Sequence, residues 1–128
     1  MFHYYQPTKI HFGAGQLNEL GHICRGYGKT CFLVTTPDAP LQPLYERVKK
    51  LLDAEGISVI HFDKVEPNPS VEIVEQGFAM LKEQPADFVL AVGGGSSIDT
   101  AKAIAFANGK ESIDWDHLFN EYSSPFAY

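Results

Sequence analysis

Three consecutive glycines, Gly93-Gly94-Gly95, stand between an apolar run and two serines, and that order of residue types can do chemistry. Phe88-Val89-Leu90-Ala91-Val92 reads as a strand buried on both faces. Glycine directly after such a strand permits positive φ and lets another group approach bare backbone. Ser96-Ser97-Ile98-Asp99 reads as a capping box with Ser96 at the N-cap, and Thr100 to Ala107 is built of good helix formers. A strand, a glycine turn and a helix N-terminus together present free N–H groups and a positive dipole end, which suits phosphate. Gly94 and Gly95 would admit a pyrophosphate to the backbone, while Ser96 and Ser97 offer N–H and hydroxyl donors. A tight connection needs no ligand, but three glycines in a row carry an entropic cost that a ligand requiring bare backbone explains. The spacing is neither G-x-G-x-x-G nor a Walker loop with its lysine.

Other constellations fail on spacing. His3, His11, His22, His61 and His117 are scattered, with no His-x-x-x-His pair to put two imidazole ligands on one helix face, and Glu19-x-x-His22 stands alone with no second such pair. His61 and His22 read as packing or surface residues. Ser96 is better explained as a cap and phosphate donor than as a nucleophile, and no catalytic residue is assigned.

The elements that must position the glycine turn are strands alternating with helices. Thr30 to Val34, Ile57 to Phe62 and Asp87 to Val92 are the apolar, strand-like runs. Between the first two, Leu41, Leu44, Val48, Leu51 and Leu52 share one helix face, closed by Gly56 at C′. Between the second and third, Val71, Val74, Phe78 and Leu81 repeat the stripe behind Ser70 as N-cap, with Pro69 excluding an earlier start. Gly13-Ala14-Gly15 turns the chain into a helix bearing Leu17, Leu20 and Ile23, and residues 2–5 form an extended segment or hairpin arm. Such βαβ units predict an α/β fold: a Rossmann-like parallel sheet flanked by helices, with ligands beyond the strands' carboxyl ends. Those ends are Thr35 to Asp38, Val65 to Asn68 and Gly93 to Ser97.

A chain of 128 residues suits one domain, and 45% hydrophobic with 20% charged residues is ordinary for a globular protein. A net charge of −6 argues against nucleic acid or an anionic membrane as partner, though one helix terminus can still take a nucleotide phosphate. Cys24 and Cys31 form no C-x-x-C pair, and residues 1–5 lack the pattern of a secretory leader. Free thiols and a cytoplasmic location are the expectation.

The pattern Gly93-Gly94-Gly95-Ser96-x-x-Asp99-x-x-Lys102 resembles the signature of the iron-containing (group III) alcohol dehydrogenases. Related glycerol dehydrogenases usually carry Lys at the Ser96 position, dehydroquinate synthases an aliphatic residue, and maleylacetate reductases lack the Asp. Phe12-Gly13-Ala14-Gly15, Leu33-Val34-Thr35 and Pro67-Asn68-Pro69-Ser70 extend the likeness in register over essentially the whole chain. The resemblance implies an N-terminal NAD(P)-binding domain over residues 1–128, truncated from a longer two-domain enzyme. The helical domain that holds Fe²⁺ or Zn²⁺ through one Asp and three His is absent from this sequence. It implies hydride transfer between small alcohols and aldehydes or ketones. With no metal-ligand constellation in these residues, the fragment alone is expected to be inactive. The apolar Phe126-Ala127-Tyr128 end leads to the expectation of a homo-oligomer.

The resemblance also implies roles at single positions. Gly93 belongs to the pyrophosphate turn, Asp99 holds that turn rather than touching phosphate, and Asn68 matches a loop residue near the nicotinamide, although a Pro-Asn-Pro turn suits it equally. Lys102 fits the pattern and reads equally as a solvated helix residue. NAD-preferring relatives often place Asp where Thr36 stands, to accept from the ribose 2′-hydroxyl. Thr36 removes a charge that would repel a 2′-phosphate, so NADP is open; Asp38, two residues on, can restore NAD. The rival readings are a non-catalytic nucleotide-binding or oligomerisation fragment and a glycerol dehydrogenase-like relative.

Overall fold

A computed structural model of the protein describes residues 11–67 and 70–107. Its centre is strand β1, Thr30–Val34, whose residues 31 to 34 are fully buried. Such complete burial needs partners on both edges and both faces, and β1 has all four. Strand β2, Ser58–Phe62, lies parallel on one edge, pairing Thr30 with Ser58 through Val34 with Phe62. Strand β3, Phe88–Ala91, lies parallel on the other, pairing Cys31 with Phe88 through Val34 with Ala91. The order β2-β1-β3 makes β1 the place where the chain reverses direction across the sheet.

Alternation along β1 divides the core in two. Phe32 and Val34 face helices α3 (Val71–Glu83) and α4 (Gly95–Ala107), with Phe62, Ile73, Val74, Leu81 and Ile104. Cys31 and Leu33 face helices α1 (Leu20–Cys24) and α2 (Gln42–Asp53), with Cys24, Val48 and Leu52. Crossovers that run in opposite directions and put their helices on opposite faces share one hand. Burial pushes the Cys31 thiol up to about 12, with Cys24 nearby adding to the rise, and both cysteines are free.

Local signals explain most boundaries. Ser70 caps α3, its Oγ accepting from the Ile73 N–H at 3.3 Å. Beyond α2, Gly56 adopts φ 74°, with Gly56 N–H donating to Asp53 O (2.9 Å) and Ile57 N–H to Leu52 O (3.0 Å), a Schellman closure. Asp87 aligns β3 with β1, its carboxylate accepting from the N–H groups of Lys29 (2.8 Å) and Thr30 (3.0 Å).

Four expectations change. Strand β3 is half-buried rather than buried on both faces, because in the described sheet it has a partner on one edge only. Val71 is exposed, since the first residue of α3 precedes the stripe that reaches the core, Ile73, Val74, Gly77, Phe78 and Leu81. Leu41 ends a 3₁₀ turn, Ala39–Leu41, before α2, and Tyr45, absent from the expected stripe, is fully buried with Val48 and Leu52. The first helix is split: a 3₁₀ turn over Gln16–Glu19, then α1, then a second 3₁₀ turn over Arg25–Tyr27. The N-terminal arm and the run beyond Ala107 lie outside the described residues.

Candidate functional site

The carboxyl ends of β1 and β3 are joined by a hydrogen bond from the Val92 N–H to Val34 O at 3.1 Å. Thr35 and Thr36 therefore sit beside the glycine turn, at the point where the sheet reverses. Gly93 has φ 132°, a conformation that side chains with a Cβ rarely adopt. Gly94 and Gly95 do not lie in that left-handed region, and a methyl placed on either would meet nothing within 4 Å. Neither internal packing nor backbone strain demands glycine at these two positions. What they provide is bare backbone facing open space, at the start of a 13-residue helix whose first N–H groups have no acceptor within the helix.

Helix α4 begins at Gly95, earlier than a cap at Ser96 would allow. The Ile98 N–H donates to Gly94 O at 3.2 Å, so Gly94 opens the helix and Ser96 lies within its first turn. The Ser96 carbonyl instead accepts from the Thr100 hydroxyl at 2.7 Å. The helix thus begins earlier than the serines suggest, with Gly94 rather than Ser96 at its cap position. The capping box dissolves accordingly: Asp99 lies beyond the first turn, exposed, and among the described residues it makes no hydrogen bond to the glycine loop. Lys102 is exposed on the same helix.

Ser97 behaves differently. It is fully buried, and its Oγ has no hydrogen-bond partner among the described residues. A Cβ at Gly93 would stand 3.1 Å from that oxygen, so the hydroxyl lies against the turn. A buried hydroxyl without a partner costs about 1–3 kcal/mol. A ligand oxygen drawn into the turn would relieve it.

At the end of β1 a second polar group forms. Thr36 Oγ1 and the Tyr45 hydroxyl are 2.7 Å apart. The Thr35 hydroxyl donates to Thr36 O at 2.9 Å and meets His61 Nε2 at 2.8 Å. The His61 ring stands edge-on to Tyr45, with centroids 5.8 Å apart. Burial lowers the His61 pKa, and Lys49 adds to the fall against the opposing pull of Asp63 and Glu46. Asp38 is exposed at the start of the 3₁₀ turn, its carbonyl accepting from the Leu41 N–H at 3.1 Å. Thr35 lies in the strand end where ligands are expected, whereas Tyr45 and His61 were not among the expected site residues. Tyr45 is nine residues from Thr36 and reaches it only once α2 folds back over the sheet. Asn68 lies outside the described residues.

Among the described residues no three His, Cys, Asp or Glu side chains form a group that could hold a metal ion. These residues do not fit an iron or zinc site. The glycine turn and the orphaned Ser97 hydroxyl do fit a diphosphate.

The fold and site define a parallel α/β domain with an open glycine turn and a helix N-terminus at its point of reversal. The model of the iron-containing alcohol dehydrogenases matches residues 7–126, and the chain belongs to that family. It is 43% identical over 116 residues to the probable NADH-dependent butanol dehydrogenase 2 of Bacillus subtilis, covering 90% of this chain and 30% of that protein. It is 38% identical to alcohol dehydrogenase 4 of Saccharomyces cerevisiae, covering 88% and 30%. The iron-containing alcohol dehydrogenase of Thermotoga maritima superposes with a TM-score of 0.85 at 32% identity, covering 95% of this chain and 34% of that one. The chain thus spans about a third of the length of these relatives.

Proposed function

We propose that residues 1–128 form the nicotinamide dinucleotide-binding domain of a metal-dependent alcohol dehydrogenase. The observation that carries this reading is the pair Gly94 and Gly95, whose bare backbone serves no internal contact and faces open space at a helix N-terminus. The pyrophosphate would lie on the N–H groups of Gly94 to Ser97, with the Ser97 hydroxyl turned toward it and Gly93 supplying the bend. Lys102 and Asp99 would act at longer range, as charges on the exposed face of α4. The adenosine ribose would reach Thr36 and Asp38, and Asn68 the nicotinamide side. The bound dinucleotide supplies the hydride chemistry, and the protein orients it.

The full-length protein would interconvert small alcohols and their carbonyl compounds, with iron or zinc held by residues outside those described here. The Bacillus subtilis relative is named NADH-dependent. In this chain Thr36 leaves room for a 2′-phosphate, so the reading leans toward NADP, with Asp38 as the route back to NAD. A cytoplasmic homo-oligomer belongs to the same proposal, and the net charge of −6 supports its lack of nucleic-acid partners. No helix among the described residues is long and apolar enough to cross a membrane.

The test is Gly94→Val. Because a Cβ there meets nothing, the variant should fold with unchanged circular dichroism and melting temperature while losing binding of both NAD⁺ and NADP⁺ in calorimetry. A folded variant that binds either as tightly as the parent would remove the glycine turn as the pyrophosphate site.

A further inference from the structure

Tyr45 is fully buried on α2, and its hydroxyl makes one hydrogen bond among the described residues, to Thr36 Oγ1 at 2.7 Å. A phenol is the better donor of two hydroxyls, and a buried proton with one neighbour must be given to that neighbour or lie unsatisfied. The Tyr45 O–H therefore donates to Thr36 Oγ1. The Thr36 proton is then turned away from Tyr45, on a half-buried side chain at the carboxyl end of β1. The backbone of Thr36 is fixed as well: its carbonyl accepts from the Thr35 hydroxyl, which His61 Nε2 holds from β2. Since the Thr35 proton is already committed, Nε2 serves as the donor to Thr35, which makes His61 the Nε2–H tautomer. His61 in turn packs edge-on against Tyr45, so α2 and β2 brace the same residue from two sides.

We propose that Tyr45 is a positioning residue for cofactor discrimination: by donating to Thr36 it makes the Thr36 hydroxyl a fixed outward donor. The inference rests on the reading that a dinucleotide ribose reaches Thr36. A fixed donor favours a group made only of acceptors, and a 2′-phosphate is such a group. A ribose 2′-hydroxyl makes a neutral and weaker bond to it, since charge-assisted hydrogen bonds are roughly twice as strong as neutral ones. Without Tyr45 the Thr36 hydroxyl rotates freely and its proton is no longer aimed.

The experiment compares NADP⁺ and NAD⁺ binding by calorimetry in the parent, Tyr45→Phe, Thr36→Val and the double variant. Tyr45→Phe removes one oxygen and keeps the packed ring. It should shift the ratio of the two dissociation constants toward NAD⁺ by about five- to tenfold, with NAD⁺ affinity itself moving less than about twofold. Thr36→Val reads the same bond from its other end and should shift the ratio by a similar factor, which keeps the test open if Tyr45→Phe does not fold. The double variant should show no further shift than Thr36→Val alone. Equal weakening of both nucleotides, an unchanged ratio, or independent effects that add in the double variant would overturn the role of Tyr45. Gly94→Val separates the two readings. A parent that binds neither nucleotide overturns both, whereas NADP⁺ binding that is lost in Gly94→Val but keeps its ratio in Tyr45→Phe overturns this inference alone.

Discussion

In the proposed dinucleotide site, Thr36 decides the charge that a ribose would meet at the end of β1. It is neutral and half-buried, and its hydroxyl is already engaged by Tyr45 at 2.7 Å. A carboxylate at this half-buried position can still accept the Tyr45 proton after a small side-chain adjustment, so Thr36→Asp should be tolerated by the fold. Toward ligand it would place a negative charge against a 2′-phosphate. Unit charges about 4 Å apart near a protein surface interact by about 1–4 kcal/mol, and about 1.4 kcal/mol is tenfold in affinity. Thr36→Asp should therefore weaken NADP⁺ by about tenfold or more and leave NAD⁺ unchanged or tighter, measured by competition between the two nucleotides. A parent protein that already binds NAD⁺ tenfold better than NADP⁺ would sink the lean toward NADP and point to Asp38 as the ribose partner.

Helices α3 and α4 approach closely because Gly77 has no side chain. A Cβ on Gly77 would collide with Ile104 Cδ1 and stand 3.1 Å from Phe62 Cε2, and Ile104 is fully buried. Gly77→Ala should lower stability by about 1–3 kcal/mol, the usual cost of overpacking, read as a lower urea midpoint at unchanged slope. Gly26→Ala meets nothing within 4 Å and should stay within about 0.5 kcal/mol of the parent. A Gly77→Ala protein as stable as Gly26→Ala would mean that Ile104 has room to move. Nothing in the linear sequence marks Gly77, because one glycine on an apolar helix face looks the same whether or not another helix presses on it. Ser70 was legible as a cap because cap and first turn are local to the helix. Ser96 was misread by the same rule: the serine oxygen is visible in sequence, whereas the start of the helix at Gly95, one residue before it, depends on backbone conformation. The strands and their parallel order could be read from apolar runs and spacing. The half-burial of β3 could not, since that depends on what lies at the sheet edge. The turn at Gly93 to Gly95 was legible from residue type alone, whereas the contacts of Tyr45 with Thr36 and of His61 with Thr35 were not, because they exist only across α2 and β2.

The described residues hold the proposed dinucleotide site and no group of three metal-donor side chains, and the chain spans about 30% of the length of the butanol dehydrogenase it resembles. Hydride transfer to a carbonyl needs that carbonyl polarised, and in metal-dependent enzymes the metal does so as a Lewis acid. Orientation of the nicotinamide alone leaves the developing alkoxide without stabilisation. The 128-residue protein is therefore expected to bind NAD(P) yet show no alcohol dehydrogenase activity, even with added Fe²⁺ or Zn²⁺. The measurement is nicotinamide absorbance with short alcohols and with short aldehydes, set beside a full-length member of the family under the same conditions. Calorimetric binding without absorbance change would separate a competent cofactor domain from an unfolded one. Turnover near the rate of the full-length enzyme would refute the two-domain reading and place the chemistry between Met1 and Tyr128.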